Sequence, residues 1–295
     1  MSPRGWLLFI LMCAVWGIPY LLIKVSVETL NPGTLVFLRT AIAAAILLPW
    51  RLSRGRLSAL RPLWWPLLAY TCAEILAPFG LLSSAEQHLS SSLSGLMIAF
   101  VPILGTVLGW VTGTGRQGMT HRRVLGLGLG VLGVAVLLAP GLSEGGPVPM
   151  LEILLVTVGY AVGPWIVANR LSVSGVSSLD VVTVSLTIAA LAYTPWAILA
   201  WPAAWPGWHV AGAVLTLGVV CTALAFVAFF ALIREIGPVR ATVVTYVNPA
   251  VAVFLGVALL GEQFTPALAA GLVVIIGGSW LAAGGDRSGA AAPSG

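Results

Sequence analysis

Long apolar stretches separated by short polar gaps dominate the chain. Ten of them are about as long as the roughly 20 residues that a helix needs to cross a bilayer. They span 5–24, 32–50, 63–83, 91–112, 122–140, 149–169, 179–200, 209–232, 240–260 and 265–284. The pattern predicts an all-α integral membrane protein with ten transmembrane helices, whose connections are too short to hold a soluble domain.

The connections and the two ends of the chain carry their own signals. Asn31-Pro32-Gly33 and residues 143–147 are rich in residues that favour turns. Arg4 before the first apolar stretch imitates a signal peptide. That stretch is a full span long and no small-residue cleavage site is evident, so we expect a retained first helix. The small and polar residues 285–295 predict a disordered cytoplasmic tail.

Composition agrees with a bilayer environment. Apolar residues make up 59% of the chain and charged residues 8%, whereas a soluble domain is about 25% charged. The net charge of +5 does not indicate nucleic-acid binding, because the basic residues fall in short gaps and not on one face of a soluble fold. The three cysteines lie within apolar stretches and fit neither a metal motif nor a disulfide framework.

The distribution of charge predicts the orientation in the membrane. If the N-terminus is cytoplasmic, twelve of the fourteen basic residues fall in inner segments, as the positive-inside rule requires. The remaining two, Lys24 and Arg39, lie within or at the end of predicted helices, and Glu28, Glu86 and Glu144 fall in outer loops. We therefore expect a multi-pass protein of the cytoplasmic (inner) membrane with both termini in the cytoplasm.

The second half of the chain echoes the first at an offset of about 146. The matches pair Gly17 with Gly163, Lys24 with Arg170, Phe79 with Phe226 and Pro102 with Pro249. Chance is the alternative, because the chain holds 34 Gly and 19 Pro. Five helices in each half would make the second half enter the membrane from the opposite side. The sequence thus predicts two inverted five-helix repeats, 1–141 and 149–284, as in many secondary transporters.

Loose motifs over the whole chain resemble the EamA branch of the drug/metabolite transporter superfamily. They comprise Trp16-Gly17 with Lys24, Pro32 with Leu35, Phe37, Leu38 and Arg39, then Pro102, Asn248-Pro249, Leu260-Gly261-Glu262 with Thr265, Gly271 and Gly277-Gly278. The first half departs from this pattern, because Gly113-Thr114-Gly115-Arg116 lacks the Glu of Gly261-Glu262. The resemblance implies a ten-helix transporter of small metabolites, often an exporter, in a cytoplasmic membrane.

Glu74 is the candidate for proton coupling and for substrate binding. It lies midway along the third predicted helix, where an ionised group costs at least ~2.5 kcal/mol on insertion scales. It would carry a proton or bind a cationic group; the alternatives are a structural partner of Arg39 or a protonated side chain within the packing. Tyr70, Glu74 and Pro78 share one helical face, which makes Tyr70 a candidate substrate-binding residue.

Arg39 and Trp16 are candidates on the first two predicted helices. We assign Arg39 a structural charge, with bidentate binding of a substrate carboxylate as the alternative. Trp16 shares a face with Met12, Tyr20 and Lys24. That face would line a substrate cavity, or alternatively pack and anchor the helix at the membrane interface.

Two prolines within predicted helices are candidates for kinks. Pro102 and Pro249 each lack a backbone donor, and the freed groups need a partner or a water-filled cavity at membrane depth. We interpret them as gating kinks beside the site, with kinks merely tolerated by neighbouring helices as the alternative. Tyr246 and Asn248, just before Pro249, and Trp165 in the sixth helix complete the predicted substrate-binding residues.

The remaining motifs argue against enzymes and cofactors. Residues 128–133 match the pattern GxGxxG, but they lie within an apolar span with no preceding strand, which favours close helix packing over a nucleotide site. No Walker loop, HExxH motif or catalytic triad stands out, so we expect neither a metal nor a cofactor.

The sequence therefore predicts a secondary transporter acting by alternating access. Its substrate would be a small metabolite or an amino acid, with export favoured and proton coupling through Glu74 as an option. The alternative is a multidrug exporter of lipophilic cations, and a more remote one is a non-transporting scaffold or receptor. The expected partners are a small-molecule substrate and the lipid bilayer, for a monomer or homodimer that binds no nucleic acid.

Overall fold

All regular elements of the structure described here are helical. The computed structural model describes residues 1–54, 57–114, 120–172, 175–204, 206–237, 241 and 243–283. The predicted tail at 285–295 and residues 115–116 of the Gly113–Arg116 departure lie outside these residues. Within the described ranges there is no strand, as expected for chain segments that must satisfy their backbone groups internally in lipid.

The described residues form ten helices in succession. They are α1 Pro3–Val27, α2 Pro32–Arg54, α3 Leu57–Ala85, α4 Ser91–Val111, α5 His121–Glu144, α6 Pro147–Leu171, α7 Ser178–Leu199, α8 Trp208–Ile236, α9 Val244–Leu260 and α10 Pro266–Ala282. Their bounds agree with the apolar stretches to within a few residues, and α3 begins six residues earlier than predicted.

The prediction of ten full spans is confirmed in part. Within the described residues, α1 to α8 are long and apolar enough to cross a membrane, whereas α9 and α10 are shorter apolar helices. Part of the predicted start of α9, 238–240 and 242, lies outside the described residues. What the structure establishes is a polytopic all-helical fold with eight long spans and two shorter helices.

Several helices depart locally from α geometry. The helix α1 is interrupted at Ile18, directly before Pro19, and α3 begins with a 3₁₀ segment over Leu57–Leu63. Three helices contain π-turns, in which one extra residue is inserted and backbone bonds run five residues back. These π-turns are Cys72–Leu76 in α3, Val167–Leu171 in α6 and Val219–Leu224 in α8.

The helices pack in a set of neighbouring pairs. Extensive contacts join α5 with α10, α2 with α7 and with α8, α3 with α6, and α4 with α9, and α1 lies against both α8 and α9. Glycines bring α5 and α10 especially close together. A Cβ built on Gly278 of α10 would lie 2.7 Å from the Gly130 nitrogen and 2.8 Å from the Gly126 oxygen of α5. The glycines of α5 therefore serve helix packing.

Contacts between the ends of helices define two ends of the bundle. Lys24, Ser90–Ser92, Glu86, Glu144 and Glu262 meet at one end, which we call the acidic end. At the other, the basic end, Arg51 Nε forms an ion pair of 2.6 Å with Asp180, and Ser2 donates to Glu235. Large apolar side chains such as Leu199 (87% exposed) and Val273 (73%) cover the outer surface, as a protein in contact with lipid requires.

Candidate transport site

The π-turn of α3 lies directly against α6. Gly159 and Gly163, four residues apart, form a small-residue pair on α6 of the kind that lets helix backbones approach closely. A Cβ on Gly159 would lie 2.9 Å from Cγ of Pro78, and one on Gly163 would lie 3.0 Å from Cβ of Glu74. This close approach places the middle of α3 at the contact between the two halves of the chain.

Glu74 occupies the centre of that π-turn. Its side chain is partly buried, and Oε2 is fully enclosed with no hydrogen-bond partner among the described residues. The sequence left open a structural pairing with Arg39, but the described residues contain no Glu74–Arg39 salt bridge. A buried carboxyl oxygen without a donor is costly when ionised, so the arrangement favours either a proton on Glu74 or a cationic partner that is not part of this chain.

Three tyrosines lie near the two charged groups of α2 and α3. Tyr70, one turn before Glu74, interacts electrostatically with Glu74 and Tyr160. Tyr160 lies between Gly159 and Gly163 on α6 and also interacts with Arg39. Tyr20 of α1 lies near Tyr160 and Arg39. Together Tyr20, Arg39, Tyr70, Glu74 and Tyr160 form what we call the central cluster.

Arg39 has well-defined partners within the protein. It is 7% exposed, its Nε donates to the Thr222 hydroxyl at 2.8 Å, and its guanidinium carbon lies 3.9 Å from the centre of the Phe79 ring. Thr222 belongs to the π-turn of α8, where its hydroxyl donates to the Leu217 carbonyl five residues earlier. Arg39 therefore joins α2 to the irregular part of α8 in this conformation, and the structural charge assigned to it stays a prediction.

The two predicted tryptophans pack against partners other than Glu74. Trp16 packs against Phe229, with ring centres 4.5 Å apart, and against Phe226. Trp165 lies at the basic end, where its indole N–H is within 3.2 Å of the hydroxyls of both Thr112 and Thr114. Each tryptophan is thus engaged with a neighbouring helix or turn.

The polar residues predicted in α9 also bind within the fold. The Tyr246 hydroxyl donates to the Ser279 carbonyl of α10 at 3.3 Å. With its amide oriented so that the nitrogen donates, Asn248 binds the carbonyls of Cys13 at 3.2 Å and Val244 at 2.9 Å. Their roles in substrate binding remain predictions, and in this conformation they hold α9 to its neighbours.

The two predicted kinks differ in structure. The α-helical geometry of α4 is interrupted at Ala99 and Phe100, where backbone bonds run three residues back, and it resumes at Val101 directly before Pro102. In contrast, α9 continues as one α-helix through Pro249. The gating role assigned to both prolines stays a prediction.

At the acidic end, glutamates bind the start of α4. Glu262 accepts hydrogen bonds from the backbone N–H groups of Ser91 at 2.7 Å and Ser92 at 2.9 Å, and Glu144 accepts from the Ser90 N–H. A carboxylate at a helix N-terminus satisfies orphan donors and complements the helix dipole. Glu262, the clearest motif residue of the second half, thereby ties the turn before α10 to the first half.

Sequence reasoning missed two members of this arrangement. Tyr160 was not singled out, although the spacing of Gly159 and Gly163 around it was a usable signal for a close helix contact. Glu86 was placed in an outer loop, yet it is 0% exposed. Only packing decides its burial.

The fold and the site define a polytopic helical membrane protein whose polar groups are gathered between helices. The chain belongs to the EamA-like transporter family, whose model matches residues 3–139 and again 150–284. The family confirms the resemblance seen in the sequence, and membrane transport is the general activity that it establishes.

Relatives carry the same general description. The chain is 28% identical over 271 residues to the protein named uncharacterized inner membrane transporter YedA of Escherichia coli (strain K12), covering 88% of this chain and 85% of that protein. It is 26% identical over 281 residues to uncharacterized transporter YvbV of Bacillus subtilis (strain 168), covering 93% and 90%. A crystal structure 24% identical in sequence has a TM-score of 0.67 and covers 96% of this chain and 98% of its own, which shows the shared fold.

Proposed function

We propose that this protein is a secondary transporter that moves a small metabolite or an amino acid across the cytoplasmic membrane by alternating access, with export as its direction. Membership of a transporter family supports transport in general. The position of Glu74 carries the finer proposal, because its buried Oε2 has no partner among the described residues and it lies on a π-turn at the contact between the two halves. Irregular backbone at membrane depth is tolerated where it is buried in protein or lines a water-filled cavity.

The helix contacts support two inverted five-helix repeats. If each helix is matched with the one five positions later, the contact of α3 with α6 corresponds to that of α8 with α1, and α4 with α6 corresponds to α9 with α1. The π-turns of α3 and α8 begin at Cys72 and Val219, which is the offset of 147 that pairs Phe79 with Phe226. The two matches of the family model divide the chain in the same way.

The two π-turns hold different groups, and this difference gives the site its chemistry. The first holds the unpartnered Glu74, and the second holds Thr222, which accepts from Arg39. In an alternating-access cycle the two halves exchange conformations around a site at the midplane. Glu74 is then the group whose protonation or occupancy changes during the cycle, while Arg39 stays paired and keeps its structural role.

An exporter of lipophilic cations is the second candidate function. The observation that favours it is the absence of a cationic partner for Glu74 among the described residues, beside the aromatic ring of Tyr70. A cation next to an aromatic face gains electrostatic attraction from the ring. Competition between protons and a lipophilic cation for Glu74 would be the signature of this function.

The topology and assembly complete the proposal. Both termini lie in the cytoplasm in this proposal, so the acidic end faces outward and the basic end inward, in agreement with the charge distribution. Glu74 serves as the proton carrier, and the protein works as a monomer or homodimer without a cofactor.

The experiment begins with ligand-induced stabilisation of the purified protein. Amino acids, sugars, nucleosides and lipophilic cations are screened at two pH values, since a ligand that binds the folded state raises its melting temperature. Hits are then tested for flux into proteoliposomes with and without a pH gradient. We expect Glu74→Gln to express normally and to lose pH-dependent flux, while Glu28→Gln, an exposed glutamate at the acidic end, behaves as the parent. Parent-like coupling in Glu74→Gln would remove Glu74 from the mechanism.

A further inference from the structure

A second buried carboxyl group lies at the acidic end, and the transport proposal does not use it. Glu86 follows the last turn of α3 and is 0% exposed. Both of its carboxyl oxygens are enclosed, and neither has a hydrogen-bond partner among the described residues. An ionised carboxylate without donors is among the most costly groups to bury, whereas the protonated form avoids most of this cost.

A cation lies beside Glu86 but binds to other atoms. Lys24 donates from Nζ to the backbone carbonyls of Glu86 and Leu89, each at 2.8 Å. In the part of the chain that the structure describes, Lys24 forms no salt bridge with the Glu86 carboxyl group, although the two interact electrostatically. An ammonium group has three donors, and the two carbonyls occupy two of them. An ionised Glu86 carboxylate would therefore compete with these carbonyls for Lys24.

Groups of both signs surround Glu86. Those that interact with it are Lys24 and Tyr20 on α1, Arg39 on α2, Tyr160 on α6 and Glu262 before α10. Nearby, Glu144 of α5 binds Ser90, Glu152 of α6 accepts from Ser84, and His88 is exposed. Burial raises the pKa of Glu86 well above its ordinary value; Lys24 and Arg39 oppose this effect and Glu262 adds to it.

We propose that Glu86 is a proton-binding site that latches the acidic end of the bundle, an inference that rests on the proposed transport function. With a proton on Glu86 the carboxyl group is neutral, and Lys24 holds the carbonyls of the turn 86–89. When the O–H bond breaks, the proton passes to water at the acidic end and the electron pair stays on the carboxylate. One N–H of Lys24 then leaves a carbonyl and binds that carboxylate.

The released turn leads directly into α4. Residues 86–89 connect α3 to Ser90 and Ser91, where α4 begins, so loss of the Lys24 bonds loosens the entry of that helix. Ser94 lies one turn further on, is 0% exposed, and its hydroxyl has no partner among the described residues. Opening of the acidic end would expose this residue to water.

A Ser94→Cys variant tests the latch in detergent solution. A membrane-impermeant maleimide reports access to the introduced thiol from mildly acidic to mildly alkaline pH, with labelling of the unsubstituted protein subtracted for Cys13, Cys72 and Cys221. The same variant carrying Glu86→Gln has identical thiol chemistry, so the ratio of the two rates isolates the effect of Glu86. Below the pKa of Glu86 the ionised fraction grows about tenfold per pH unit, and we expect the ratio to rise by the same factor.

Further variants keep the test decisive. Glu28→Gln with Ser94→Cys should label as Ser94→Cys alone does. Infrared spectra of the protein without Ser94→Cys should show a protonated carboxyl band that disappears at alkaline pH, is absent in Glu86→Gln and persists in Glu74→Gln. If Glu86→Gln does not fold, Glu86→Asp should retain pH-dependent labelling with a shifted midpoint.

Three results would overturn the proposal. Ser94→Cys could remain unlabelled at every pH, or Glu86→Gln could leave the pH profile of its labelling unchanged. The third is faster labelling of Ser94→Cys with Glu86→Gln than of Ser94→Cys alone. None of these measurements needs a substrate or solute flux. Failure of the transport proposal would appear as absent flux with the labelling profile intact. Failure of the latch would appear as flux with labelling that does not depend on Glu86.

Discussion

The contact between α5 and α10 permits a sharp test, because two adjacent glycines of α10 differ in what surrounds them. A Cβ on Gly278 would lie 2.7 Å from the Gly130 nitrogen and 2.8 Å from the Gly126 oxygen, both backbone atoms, whereas a Cβ on Gly277 would meet nothing within 4 Å. Gly278→Ala and Gly277→Ala make the same chemical change in one helix. The difference in stability between the two variants therefore measures the contact between α5 and α10 alone.

The magnitude follows from the geometry. Ordinary van der Waals contact begins at 3.4 Å, so Gly278→Ala requires α5 and α10 to separate by about 0.7 Å. Backbone atoms cannot rotate away, and overpacking of this kind costs about 1–3 kcal/mol. Gly277→Ala should be neutral or gain up to about 1 kcal/mol through the higher helix propensity of alanine. The two variants should therefore differ by about 1–4 kcal/mol.

Thermal unfolding of the purified variants in one detergent measures this difference. We expect Gly278→Ala to melt below the parent and Gly277→Ala at or above it. Gly126→Ala and Gly128→Ala should repeat the result on α5, since Gly126 faces the Gly278 backbone and Gly128 faces open space. A Gly278→Ala protein at least as stable as Gly277→Ala would show that this helix contact is wrong.

Three further predictions concern charges. Glu262→Ala should lower the free energy of unfolding by about 1–2 kcal/mol through loss of the α4 cap, seen as a lower melting temperature than that of Glu28→Gln. Arg51→Met and Asp180→Asn should each destabilise the protein through the charge left unpaired, and the double variant should lose less than the sum of the two in a double-mutant cycle. Glu86 binds its proton more tightly when folded, so its contribution to stability is greatest below its ordinary pKa of about 4.5 and falls as pH rises toward the folded value. Between these two pKa values the free energy of unfolding should fall by about 1.4 kcal/mol per pH unit. Melting temperatures of Glu86→Gln, measured over the same pH range, should lack this decrease.

The sequence predicted the helices well and the candidate site only in part. Long apolar stretches depend on local composition, so their bounds agree with the structure to within a few residues. Glu74 and Tyr70 are one turn apart on a single helix, and local geometry is enough to relate them. Trp165 and Tyr246 were grouped with them because they are polar residues in apolar helices, yet each binds elsewhere. Which faces of different helices meet cannot be determined from periodicity along one of them.

The amino-acid sequence by itself determined the environment of this protein and its class. With 59% apolar and 8% charged residues, the chain is suited to a bilayer, and the length of each apolar stretch sets the length of each helix. Tertiary structure alone decided the burial of Glu86, the position of Tyr160 beside Arg39, and the π-turns. These features depend on contacts between segments far apart in the chain, where glycine pairs allow two backbones to meet. The free energy of a charged or polar side chain in a membrane protein is set by those neighbours, and the linear sequence does not specify them.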